Sequence, residues 1–168
     1  MAISLIPDCI LDDVTKITPE LLHGFGVRLL MMDFDNTLVP YTADVPAPEI
    51  EAWLATMQQS DITLCMVSNS KRDRVKAFCD ARGIPCIRRA KKPLWWVGIR
   101  AALNQFRCHP CEAAILGDQI YTDTLGGNGA GVTTILIRPI HLHNIWLRLR
   151  HVAEKPFIAI GKGRVAHE

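Results

Sequence analysis

The chain has 168 residues, of which 49% are hydrophobic and 21% charged, enough to bury the core of one domain and too few for two comfortable ones. No uninterrupted apolar stretch reaches the roughly 20 residues that span a bilayer, and "MAISLIPDCILDD" meets Pro7 and Asp8 too soon for a signal peptide. A membrane-spanning or secreted protein is therefore not expected, and a cytoplasmic one with reduced cysteines is. The net charge of +2 is uneven: residues 134–168 carry six Lys or Arg against two Glu, a basic tail on a slightly acidic body. No nucleic-acid partner is expected.

Thr18-Pro19-Glu20 reads as an N-cap with proline at the first helical position, and Gly24 stops this short helix a turn later, ahead of the first strand. "VRLLMMDF" (27–34) is apolar without alternation, as a strand buried on both faces of a parallel sheet requires. Ile50, Trp53, Leu54 and Met57 recur at helical spacing within 48–60, and "ITLCMVS" (62–68) is the next buried run. Val75, Phe78 and Cys79 mark a helix closed by Gly83, and "IPCI" is a short strand. Trp95, Ile99, Ala102, Leu103 and Phe106 mark a further helix, and "AAILGD" (113–118) and "TTILI" (133–137) further strands. Strands alternating with helices predict an α/β fold: a doubly wound, mainly parallel sheet with helices on both faces. The expected organisation is one domain over 1–168, with 141–168 a basic C-terminal helix and tail.

In such sheets ligands bind beyond the carboxyl ends of the strands. There "DFDNT" places Asp33 and Asp35 two residues apart, a spacing that on a strand faces both to one side. Crowded carboxylates repel, so either one keeps its proton or a hard cation neutralises them. Oxygen-only ligation suits Mg²⁺, which keeps places for water and substrate phosphate. The pair also supplies a nucleophile and a general acid together. A strand-ending turn with solvated aspartates would use the same residues.

"DFDNTLV" resembles the DxDx[TV]x[TV] signature of the haloacid dehalogenase (HAD) superfamily. "VSNS" (Ser68), "KKP" (Lys92) and "ILGDQIYTD" (Asp118, Asp123) resemble its remaining motifs, in order. The resemblance implies that Asp33 attacks phosphorus and becomes a phospho-aspartate. It makes Asp35 the acid and then the base, with the Asp35 backbone carbonyl at the metal. Ser68 and Asn69 would hold phosphoryl oxygens, and Lys92 would offset the charge of nucleophile and substrate. Asp33, Asp35 and Asp118 would bind Mg²⁺, and Asp123 would support them from behind or through water. An acid at position 35 favours a phosphatase over the dehalogenase and ATPase branches.

Neither Thr37 to Ser68 nor Ser70 to Lys92 leaves room for a large cap domain, which places the chain beside the subclass IIIA group. The "LLHGFGVRLLMMDFDNTLVP", "AKKPL" and "GDQIYTDTLGGNGAG" segments resemble the YqeG-like family, related to the phosphatidylglycerophosphate phosphatases. This implies a lipid phosphomonoester substrate, phosphatidylglycerophosphate, and a role in phospholipid biosynthesis. A phosphatase of a nucleotide, sugar phosphate or phosphoprotein would use the same residues, and a catalytically idle domain used for binding is the third reading. In "HLHNIWLRLRHVAE" (141–154) apolar residues at helical spacing alternate with arginines. Such a helix suits peripheral contact with the inner face of an anionic membrane, and equally a helix packed on the sheet. Gly126, Gly127, Gly129 and Gly131 read as a tight turn rather than a phosphate cradle. "CHPC" (Cys108, Cys111) lacks the second ligand pair of a structural zinc site.

Overall fold

A computed structural model describes residues 4–68, 73–88 and 96–140. The elements follow as β1 (Cys9–Leu11), α1 (Pro19–Gly24), β2 (Leu29–Met32), α2 (Pro48–Gln59), β3 (Thr63–Ser68), α3 (Asp73–Arg82), β4 (Cys86–Arg88), α4 (Trp96–Phe106), β5 (Ala113–Gly117), α5 (Leu125–Ala130) and β6 (Thr133–Ile137). Single helical turns occur at Val14–Lys16, Pro110–Glu112 and Ile120–Thr124.

The strands form one six-stranded parallel sheet in the order β1-β6-β5-β2-β3-β4. Each central strand is apolar on both sides because each side meets a helical layer. Leu30 and Met32 of β2 join a cluster with Leu22, Ile50, Trp53, Leu54, Met57, Val75 and Phe78. Leu29 and Met31 face the opposite cluster, with Ile99, Ala102, Leu103 and Ala130. The alternation repeats in β3 and β5, where Leu64, Met66, Ala114 and Leu116 lie in the first layer and Cys65, Val67, Ala113 and Ile115 in the second. This is the doubly wound fold expected from the sequence, and the connection between β2 and β3 holds α2 and no cap domain.

Local chemistry sets the helix ends. The Thr18 hydroxyl accepts from the Leu21 N–H at 3.2 Å and Pro19 opens α1. Gly83, at φ 64°, turns the chain out of α3 toward β4. Trp53 sits on the buried face of α2, and its indole N–H donates to the Ile17 carbonyl at 2.7 Å, so the ring is buried without an unsatisfied donor.

Two elements differ from expectation. A strand, β1, precedes α1 and pairs with β6 at the sheet edge. Its three residues are too few to carry a periodic signal, and Asp8 anchors it by accepting from the Thr134 N–H and hydroxyl, both at 2.8 Å. The glycine-rich stretch is mainly the short helix α5, with Gly131 its left-handed cap at φ 77°. A side chain at Gly127 would strike Ile115 and Thr134, so this glycine lets α5 lie close on the sheet. The expected C-terminal helix, Asn69, Lys92 and Trp95 lie outside the described residues.

Candidate active site

The chain runs outward from β2 through β3 to β4, then returns to β5 on the other side of β2 and continues to β6. The order therefore reverses between β2 and β5, and it is beyond the carboxyl ends of strands at such a reversal that sheets of this kind bind ligands. Met32 pairs with Leu116, and the Asp33 N–H continues the ladder to the Leu116 carbonyl at 2.9 Å. Asp33 is thus the first residue past β2, beside the Gly117-Asp118 end of β5.

The following turn is held from both sides. Phe34 is buried, with its ring edge-on to Phe78 at 5.1 Å, and its carbonyl accepts from the Leu38 and Val39 N–H groups at 3.1 and 3.2 Å. Asn36 takes a left-handed backbone, φ 66°, which asparagine tolerates better than most residues. Its amide donates to Asp118 Oδ2 at 3.3 Å, and the Thr37 hydroxyl reaches Asp118 Oδ1 at 3.5 Å. Asn36 and Thr37 therefore orient the buried Asp118 carboxylate.

After Asp118 a wide helical turn over Ile120–Thr124 brings Asp123 back over the end of β5. Its N–H donates to the Gln119 carbonyl at 2.9 Å, and its Oδ2 accepts from the Gln119 N–H at 3.2 Å. Asp33, Asp118 and Asp123 then offer carboxylate oxygens that all lie within 4.8 Å of one another. Loss of hydration, followed by the charges of Asp123 and Asp118, pushes the Asp33 carboxyl well above the usual carboxylate range. Three carboxylates so close, Asp118 buried and the other two half-buried, fit a hard divalent cation, the group that removes their mutual repulsion.

A family model described as "HAD-hyrolase-like" matches residues 97–139, which include the Asp118 and Asp123 segment. The "Probable phosphatase YqeG" of Bacillus subtilis is 37% identical over 136 residues, covering 80% of this chain and 78% of its own. The chain belongs to the YqeG-like phosphatases of the HAD superfamily. The chloroplastic/mitochondrial "Phosphatidylglycerophosphate phosphatase 1" of Arabidopsis thaliana is 29% identical over 92% of this chain and 44% of its own. The 3-deoxy-D-manno-octulosonate 8-phosphate phosphatase of Yersinia pestis shares the fold, with TM-score 0.54 at 16% identity, over 80% of this chain and 76% of its own.

In this YqeG-like phosphatase Ser68 is buried at the end of β3, the strand next to β2. Asp123 groups with Asp33 and Asp118, whereas the Asp35 carboxylate turns to a residue that carries no motif or periodic signal. That residue is Arg74, in the first turn of α3, and it forms an ion pair with Asp35 Oδ1. No periodicity flags Arg74, because a basic residue beside Val75 on a helix looks like any solvated charge; only the fold places it beneath the β2 turn.

Gly117 has a role that spacing alone does not reveal. A Cβ at this position would collide with the Cβ, Cγ and Oδ2 atoms of Asp123. Gly117→Ala is expected to push Asp123 out of the cluster, leaving a folded protein that binds divalent cation more weakly and turns over substrate slower by about 10–100-fold. Isothermal titration with Mg²⁺ and circular dichroism on the same sample check this. Unchanged cation affinity in a folded variant would show that the Asp123 approach is not needed.

Proposed function

We propose that this HAD phosphatase is a Mg²⁺-dependent phosphomonoesterase that works through a phospho-aspartate on Asp33, with phosphatidylglycerophosphate as substrate and phosphatidylglycerol as product. The observation that carries the catalytic part is the convergence of Asp33, Asp118 and Asp123 at the point where strand order reverses. Asp118 and Asp123, with Asp33, would hold the cation; when bound, it supplies charge neutralisation and polarises the phosphoryl oxygens. An Asp33 oxygen attacks phosphorus as the bond from phosphorus to the ester oxygen breaks, and Asp35 gives its proton to the departing alkoxide. Water then attacks the phospho-aspartate, its proton passes to Asp35, and the Asp33 carboxylate and inorganic phosphate are released. Ser68 and Asn69 would steady the phosphoryl oxygens, with Lys92 offsetting their charge.

Two observations support a lipid substrate. The chain lacks a cap over the β2–β3 connection, so the site can meet a phosphate carried on something bulky. A phosphatidylglycerophosphate phosphatase is also similar to this chain, at 29% identity over 92% of this chain and 44% of its own. No helix among the described residues is long and apolar enough to cross a membrane. Residues 141–154, with apolar positions at helical spacing between arginines, would be the contact with a lipid surface. We expect phosphate release from phosphatidylglycerophosphate in mixed micelles to exceed, in kcat/KM, release from nucleotide, sugar and phosphopeptide monoesters by at least about 100-fold. Equal or better turnover of one of those soluble esters would replace the lipid reading and leave the catalytic one standing.

A further inference from the structure

We infer that Arg74 is the positioning residue of Asp35, holding the carboxylate by Oδ1 so that Oδ2 is presented for proton transfer. This rests on the reading of Asp35 as acid and base. The side chains are only 10% and 15% exposed, so the ion pair is largely withdrawn from water. The same guanidinium is fixed from other directions: Nη1 donates to the carbonyls of Ala43 and, at 3.3 Å, of Pro40, and the charged carbon lies 5.2 Å from the centroid of the Phe34 ring. Asp44 reaches Nη1 only at 4.0 Å and is almost fully exposed. Nε is buried without a hydrogen-bond partner among the described residues.

Energetically this is a poor way to stabilise a loop. Withdrawing two charges from water costs nearly as much as their attraction returns. Holding the Pro40 and Ala43 carbonyls needs donors but no ion pair with Asp35. Through a proton exchange at Asp35 the guanidinium stays charged and neither takes nor returns that proton, so its hold on Oδ1 persists in both halves of the reaction. Its planar fork, set by two carbonyls and an aromatic face, fixes a direction that a flexible ammonium group would not. The element beneath it is the start of α3, so the carboxylate takes its aim from the helix rather than from its own turn.

The test is the dependence of kcat/KM on the leaving group, since an alkyl phosphate needs a proton donor and an aryl phosphate with a good leaving group hardly does. Asp35→Asn, Arg74→Met, Arg74→Lys and the Asp35→Asn/Arg74→Met double variant are compared on both ester types, with thermal melts as the folding control. Arg74→Met is expected to lower kcat/KM for the alkyl ester by about 10–100-fold and for the aryl ester by less than about 3-fold. The double variant should be no slower on the alkyl ester than Asp35→Asn alone. Arg74→Lys should show the same skew in smaller degree, and it carries the test if Arg74→Met does not fold. Equal losses on both esters, or full additivity in the double variant, would make Arg74 a loop clamp and overturn the proposal. If Asp35→Asn itself shows no leaving-group skew, the acid/base reading fails and this proposal with it.

Discussion

Asp33→Asn is expected to lower phosphomonoester turnover by several orders of magnitude, because an amide is a poor nucleophile and a poorer ligand for a hard cation. The same change should have the opposite effect on stability. In chelator-treated protein the Asp33 carboxylate is poorly hydrated and faces Asp123 and Asp118, which holds its pKa above the value of 3.8 for an unperturbed aspartate. A carboxyl whose pKa is raised on folding leaves stability intact below the unfolded pKa, and that contribution is lost as pH rises through the folded pKa. The metal-free wild type should therefore weaken across that window, while Asp33→Asn, with no charge to bury, should melt higher at neutral pH and depend less on pH. Each kcal/mol recovered corresponds to about 2–4 °C in a chain of this size. Melts at pH 4 and pH 7.5, with and without Mg²⁺, check the sign. A metal-free Asp33→Asn variant that melts below wild type at neutral pH would show that the carboxylates are not the strained cluster described.

Asp35→Asn should fail in a different way. Asp33 could still attack an aryl phosphate, whose leaving group needs little help, but water would lose its base in the second half of the reaction. The expected record is a burst of the aryl alcohol close to one equivalent of enzyme. A steady rate slower than wild type by about 10²–10⁴-fold should follow, with acid-stable phosphate label retained on protein. Linear release at the reduced rate, without a burst or retained label, would remove Asp35 from the second step.

Much of this was legible along the chain, for reasons that vary with the residue. The runs 29–32, 64–67 and 113–116, just ahead of Asp33, Ser68 and Asp118, announce a parallel sheet because no polar residue interrupts them, and strands covered on both faces need none. The pairing of Asp33 with Asp118 follows once β2 and β5 are neighbours, a topological fact that the family motifs imply and single-strand periodicity does not. Asp123 is different: its entry into the cluster depends on the wide turn at Ile120–Thr124 and on the bare Cα of Gly117, two features without a hydrophobic period. Arg74 was invisible for a related reason, since its partner stands 39 positions earlier in the chain and the contact depends on how α3 lies against the β2 turn. β1 leaves no signal in the sequence because three residues at a sheet edge carry neither period nor length. The glycine run misled because glycine is read first as turn-forming, whereas Gly127 serves close helix–sheet packing.

A phosphoryl group carried by Asp33 during turnover can be trapped and located chemically. Enzyme quenched in acid during turnover of a phosphomonoester, reduced with borohydride and digested, is predicted to yield the peptide spanning Asp33 with homoserine at that position. Borohydride reduces an acyl phosphate but not a free carboxylate. The signal should vanish when Mg²⁺ is chelated before substrate is added, and should grow in Asp35→Asn. An unmodified Asp33 under conditions of active turnover, or a reduced residue at any other position, would rule out a phospho-aspartate at Asp33.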